Sequence, residues 1–297
     1  MGAKTKIDWC DSTWNPVTGC LHGCEYCYAR RIAERFGGCW RLDLPPDTSW
    51  RGNVGVRELM GDYARHSNRK CHVLDEPEIE CAVFDPPSGY RGKVKPYPYS
   101  FDPTFHRYKL GEPQRWKKPR NIFVCSMADL FGDWVPDEWI AEVFKACEAA
   151  PQHRYLFLTK NPTRYCKIAY DGWLPDAKNF WYGSTITRKG ESFFAGGVHW
   201  NAFVSIEPLL EPLDVGIGSF GGAKWVIVGA ETGNRKGKII PKREWVENIV
   251  EAAQITKMKV FMKESLRELM GADFRQELPW EVVPAIQAME SGEEAGT

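Results

Sequence analysis

Long hydrophobic runs are missing from this sequence. No stretch approaches the roughly 18 consecutive apolar residues that a membrane span needs. The opening Met1-Gly-Ala-Lys-Thr-Lys-Ile-Asp8 has no apolar run of the signal-peptide type. Position 6 is Lys rather than Ser or Thr, so the Met-Gly start does not make a myristoylation signal. An excess of one charge is absent too. Lys and Arg number 39 against 39 Asp and Glu, a formal net charge of +0. That balance excludes a global field drawing the chain to nucleic acid or membrane, while leaving room for a local basic groove. The expectation is a cytoplasmic protein with no membrane partner. In that compartment thiols stay reduced, so the 10 Cys read as metal ligands or buried thiols rather than disulfides.

What is present suits a globular α/β protein. Hydrophobic residues at 43% and charged residues at 26% are ordinary for a chain with a real core. The 297 residues suit one large barrel or two modest domains. Aromatics at 13%, including 13 Trp, point to an extensive core or to stacking surfaces.

The most informative stretch is Gly19-Cys-Leu-His-Gly-Cys-Glu-Tyr-Cys-Tyr28. Cys20, Cys24 and Cys27 stand at C-x3-C-x2-C spacing, a compact set of three thiols. Structural zinc sites close with four protein ligands, as do ordinary iron–sulfur clusters with four cysteines. Three cysteines on a 4Fe–4S cluster would leave one iron open to a small molecule. Ile7 to Gly19 reads as a short strand running into a loop, and Tyr28 to Phe36 as a helix carrying Ile32 and Phe36 on one face, ended by Gly37-Gly38. Cys10, ahead of the loop, reads as a buried thiol.

From about 39 to 95 the pattern deteriorates into Pro- and Gly-punctuated chain, with a helix indicated only over Val56–His66. This reads as an irregular insertion or lid. Its Cys39, His66, Cys71, His72 and Cys81 follow no standard ligand spacing. Residues 96–120 mix Tyr97, Tyr99, Phe105, Tyr108 and Trp116 with Arg107, Arg115, Lys117, Lys118 and Arg120. Two readings stand: a proline-rich strap with solvated charges, or a surface that stacks bases and holds phosphates.

Beyond Arg120 the chain turns regular. Strand-like runs at 121–125, 154–158, 179–183, 202–206, 224–228 and 259–262 alternate with helices at 136–147, near 162–169 and at 241–255. Short apolar strands alternating with helices indicate a parallel sheet covered by helices, a TIM-type barrel or partial barrel of about six to seven strands. The expected division is 1–38 as first strand, loop and helix, 39–95 as insertion, 96–280 as the rest of the barrel, and 281–297 as a C-terminal extension with a frayed end. Nearly every strand ends in polar residues: Ser126 and Asp129, Thr159 and Lys160, Ser184 and Thr185, Ser205 and Glu207, Glu231 and Thr232, Lys263 and Glu264. In a parallel barrel such ends face one mouth, where function gathers.

Cys20, Cys24, Tyr26 and Cys27 match the C-x3-C-x-aromatic-C signature, and there the chain resembles the radical S-adenosylmethionine (SAM) enzymes. Trp14–Cys20, Arg115–Arg120, Val124–Asp133, Phe157–Pro162, Ser205–Leu210, Val226–Gly233 and Val260–Glu264 look like segments of a phage- and bacterium-encoded family of unassigned function with radical-SAM-like cysteines. The resemblance covers most of the chain outside 39–95. It implies a 4Fe–4S cluster on the three cysteines, SAM on its open iron, and an external electron donor of flavodoxin or ferredoxin type. It places Tyr26 near adenine and Ser126 and Asp129 where many such enzymes carry Gly-Gly-Glu, so the Ser-Met-Ala-Asp here departs from the pattern. Ser184, Glu207 and Glu231 complete the candidate cofactor-binding set, the two glutamates being open to substrate as well. A nucleobase or nucleoside is the first expectation for the substrate, as in nucleic-acid modification or repair, with a peptide or small metabolite as the other option. A zinc-stabilised nucleic-acid-binding protein without catalysis, using His22 or a distant residue as fourth ligand, is the alternative from another class.

Overall fold

The computed structural model describes residues 5–37, 71–79, 94–216 and 219–280. In chain order its strands are β1 (Ser12–Trp14), β2 (Val17–Thr18), β3 (His72–Leu74), β4 (Thr104–His106), β5 (Asn121–Val124), β6 (Arg154–Thr159), β7 (Phe180–Thr185), β8 (Asn201–Ile206), β9 (Ala223–Val228) and β10 (Lys259–Met262). The α-helices are α1 (Tyr28–Phe36), α2 (Glu112–Arg115), α3 (Asp137–Glu148), α4 (Pro162–Tyr170), α5 (Arg243–Ile255) and α6 (Arg267–Met270). Described residues of Met1–Thr13, Trp116–Val124 and Ala150–Thr297 form one compact unit, and those of Trp14–Arg115 and Cys125–Ala149 a second. Among the described residues no helix is long and apolar enough to cross a membrane.

The first unit is built on a seven-stranded sheet ordered β1–β5–β6–β7–β8–β9–β10. Every pairing from β5 to β10 is parallel. These strands are apolar at successive positions because both faces are covered. On the outer face Val204, Val226 and Val260 pack with Val246, Ile249, Val250 and Ala253 of α5, which recur at helical spacing. On the inner face Trp9, Phe123, Leu156, Trp181, Phe203, Trp225, Ile227 and Phe261 form a second cluster. Neighbouring strands lie about 4.8 Å apart, so a flat sheet would hold β5 and β9 roughly 19 Å apart. The Trp9 ring nevertheless reaches both, its centroid 4.7 Å from Phe123 and 6.2 Å from Trp225. The sheet is therefore curled around Trp9 as a partial barrel. The regular strands and helices expected after Arg120 are all present, within a few residues of their expected limits.

The second unit carries a small sheet that sequence pattern did not indicate, ordered β2–β4–β3. β2 runs antiparallel to β4 and β3 parallel to it. Strands of two and three residues are too short to show a period, and β3 lies within the stretch expected to be irregular. The expected helix at 56–66, along with Cys39, His66, Cys81 and the tail after 280, falls outside the described residues.

Two expectations about side chains change. Helix α1 is present, but Ile32 and Phe36 are exposed, at 37% and 58%. Its covered side is Ala29 and Ala33, packed with Phe101 and Met127. Spacing of four residues puts side chains on one face without saying which face the fold covers. The aromatic and basic groups of 96–120 are largely engaged within their own units. Phe105 stacks on Trp139 at 5.2 Å, and Arg107 pairs with Glu142 and Asp75. Arg120 lies 4.7 Å over Trp116 and donates to Ser12 Oγ. Arg115, Lys117 and Lys118 remain exposed.

Candidate active site

The cysteine loop is shaped by Gly19, whose φ of +87° suits glycine, and a Cβ there would sit 2.2 Å from the carbonyl oxygen of Asp102. Backbone bonds tie the loop on both sides. Gly19 N–H donates to Met127 O at 2.9 Å, and Cys20 N–H to Phe101 O at 3.2 Å. Cys27 is the N-cap of α1, its Sγ accepting from Arg30 N–H at 3.3 Å. The Arg30 guanidinium donates to Cys20 O and lies 4.9 Å over the Phe101 ring.

Just after β5, Cys125 adopts φ +58°, an uncommon conformation for a residue with a side chain, and turns the chain. Ser126 and Asp129 follow and meet the cysteine loop within the same unit. Asn15 Oδ1 accepts from Ser126 Oγ at 3.1 Å and from Met127 N–H at 2.9 Å. Tyr28 Oη donates to Ser126 O at 2.8 Å. The buried Asp129 accepts from Phe131 N–H through Oδ1 and contacts His22 Nε2 at 2.7 Å through Oδ2. His22 also rests edge-on against Trp134. Tyr26 is half-buried inside the loop. Asn15 and the engagement of His22 with Asp129 were not anticipated, although Asn15 lies within the Trp14–Cys20 segment that carries part of the family resemblance.

Cys20, Cys24 and Cys27 are half-buried free thiols. Burial pushes the Cys20 thiol up to about 12, and Asp129, Cys24 and Cys27 add to the rise by opposing a second negative charge. Among the described residues no three His, Cys, Asp or Glu side chains converge as a metal-ligating group, these cysteines included. The three thiols do share one short loop, and as thiolates they would repel one another and Asp129 unless a cation neutralised them. Cys71 is a different kind of thiol, exposed and donating to Trp134 O.

In the sheet unit, parallel register brings the other candidates to one edge. Lys263 Nζ stands 2.9 Å from Glu207 Oε1 and 3.6 Å from Asp8 Oδ1. Burial raises the Glu207 carboxyl above its usual range, with Lys263 and Lys160 pulling the other way. Burial also works against the Lys263 charge, but Glu207 and Asp8 more than offset it and hold the ammonium above its ordinary value. Glu231 is buried and paired with Arg235 through both oxygens, at 2.6 and 2.7 Å, and that hydrogen bonding holds its carboxyl below the usual range. Ser184 is buried, its Oγ accepting from Phe194 N–H at 2.9 Å. Asp8 was not anticipated, since nothing in its neighbourhood marks it. The three cysteines with Tyr26, Ser126 and Asp129 form one group and Glu207 with Lys263 and Asp8 a second, whereas Ser184, in register with Val204 on the outer face, and Glu231, held by Arg235, do not join that pair.

The model of a family described as "Protein of unknown function (DUF5131)" matches residues 4–268, and the chain belongs to that family. No curated protein and no solved structure matches it.

Proposed function

We propose that this member of a family of unknown function is a radical SAM enzyme. The observation that carries the reading is the loop of three half-buried thiols, onto which the segment Ser126–Asp129 is folded. Cys20, Cys24 and Cys27 would hold the cluster. When bound, the 4Fe–4S cluster supplies an open iron for the amino and carboxylate groups of SAM and the electron that releases methionine and a 5′-deoxyadenosyl radical. The protein's part is placement and exclusion of water. Tyr26 serves the adenine, while Ser126 and Asp129, oriented by Asn15 and His22, serve the amino group. Ser184, Glu207 and Glu231 complete the proposed cofactor-binding set, the two glutamates being open to substrate as well. In this reading the curled sheet is a TIM-type barrel, the enzyme works in the cytoplasm with a flavodoxin- or ferredoxin-type donor, and its substrate is a nucleobase or nucleoside in nucleic-acid modification or repair.

Protein reconstituted without oxygen, given a strong reductant and SAM, should be brown and should release 5′-deoxyadenosine even without substrate. Cys24→Ala should lose most of the bound iron, and Cys71→Ala should keep it. A colourless zinc protein, or an iron-loaded one that releases no 5′-deoxyadenosine, would overturn the reading.

A further inference from the structure

The inner face of the sheet is layered by its register. Gly183, Phe203, Trp225 and Lys259 lie side by side on neighbouring strands, followed two residues further on by Thr185, Ser205, Ile227 and Phe261. One more step along β8, β9 and β10 places Glu207, Gly229 and Lys263 in line, as the bonds from Gly229 N–H to Ile206 O and from Lys263 N–H to Val228 O confirm. The lowest of these layers has Phe203 and Trp225 at its centre, the middle one mixes apolar side chains with hydroxyls, and the last carries the charged pair.

Three features of the upper layers belong together. Ser205 is 1% exposed, and its Oγ has no hydrogen-bond partner among the described residues. Gly229 leaves bare backbone between Glu207 and Lys263, and both side chains lean over it: a Cβ there would lie 3.2 Å from Glu207 Cγ and from Lys263 Cγ and Cδ. The ion pair therefore closes over the layer that holds the unsatisfied hydroxyl. The charges also balance. Asp8 and Glu207 offset Lys263, which both contact, and Lys160, whose charge acts on Glu207. With no net positive charge left over, the cluster is a poor grip for phosphate or a free carboxylate. What it offers is an acceptor, a donor and a hydroxyl capable of both, bordered by the apolar side chains of Ile227 and Phe261.

We propose that Ser205, Glu207 and Lys263 form the polar edge of a binding site for an uncharged planar nitrogen heterocycle of nucleobase type. The ring's adjacent donor and acceptor would replace the Glu207–Lys263 contact over Gly229 and reach Ser205 beneath it. The inference rests on reading this strand edge as the substrate end of the enzyme, and it assigns Glu207 to substrate rather than to SAM.

Binding to the full chain tests it without any cluster chemistry. Guanosine, cytidine and thymidine are titrated by calorimetry, with inorganic phosphate as the probe for an anion site; adenosine is left out because SAM contains it. At least one nucleoside should bind, and saturating SAM should leave that binding intact. Glu207→Gln and Ser205→Ala should each weaken it at least about tenfold, as expected where a hydrogen-bonding edge is left unpaired. The unliganded Ser205→Ala protein should melt no lower than wild type, because it loses a hydroxyl that has no partner. Binding of phosphate in place of all three nucleosides, no nucleoside binding, or affinities within about twofold of wild type in both variants would overturn the proposal. If 5′-deoxyadenosine is released while no nucleoside binds, this inference fails and the radical SAM reading stands. Nucleoside binding without SAM cleavage separates them the other way.

Discussion

Around the seven-stranded sheet, apolar side chains are buried on both faces, and the inner cluster alone joins residues from β5 to β10 through Trp9. The unit with the cysteines is organised differently. The apolar cluster beside its loop is small, made of Ala29, Ala33, Phe101 and Met127. The loop itself is tied by specific polar contacts, Asn15 to Ser126 and Met127, His22 to Asp129, with the buried pair Thr18–His106 elsewhere in the unit, while Phe105, Phe131, Trp139, Ile140 and Val143 give the same unit buried apolar side chains away from the loop. Packing makes the sheet edge a stiff base for the groups that would meet a substrate. Hydrogen bonds make the cysteine loop more dependent on charge state, and in the proposed reading the cluster completes it.

The contrast is most exposed at Trp225. Its ring is fully buried, lies within 6.2 Å of Trp9, Phe203, Phe261 and Trp280, and donates through Nε1 to Glu277 O. Trp225→Ala should cost about 3–5 kcal/mol of unfolding free energy, read from denaturant midpoints. A loss under about 1 kcal/mol would show that packing does not dominate there.

His106 tests the polar side of the comparison. It is fully buried, and burial together with Lys109 pushes its pKa down to about 3. The unfolded imidazole takes up its proton near pH 6.5, so between about 6.5 and that folded value the unfolded state holds more protons. Stability from this group is complete above the unfolded value and is lost as pH falls, by about 1.4 kcal/mol per pH unit at most. His106→Gln should flatten the slope of unfolding free energy against pH over that window. An unchanged slope would remove His106 as its source.

The smallest effect is expected on α1. Phe36 is 58% exposed, and Phe36→Ser should move the unfolding free energy by no more than about 0.5 kcal/mol. A larger loss would mean that this helix depends on apolar burial as the sheet does.

Legibility followed the range of the interactions. Strands β5 to β10 and helices α3 to α5 announce themselves because apolar spacing reports local geometry, and the cysteine triplet does so because its ligand chemistry lies within eight residues. The small sheet escaped because β2 and β3 are too short to carry a period. Of the candidate residues, Glu207 and Lys263 were readable as strand ends, and a pairing of the lysines with the strand-end glutamates as one option for them, whereas Asp8 was not readable at all.

The amino-acid sequence by itself determined the order of strands and helices and the three-thiol loop, since those depend on neighbours a few positions apart. Only the tertiary structure decided that Ser126 and Asp129 meet the cysteine loop, that Glu207 and Lys263 close over Gly229, and that Ala29 and Ala33 rather than Ile32 and Phe36 are covered. Asp8 and Lys263 lie at opposite ends of the described chain, as His22 and Asp129 lie on separate segments of theirs. Contacts at that separation are set by how the sheet curls and how segments pair, and no local spacing records them.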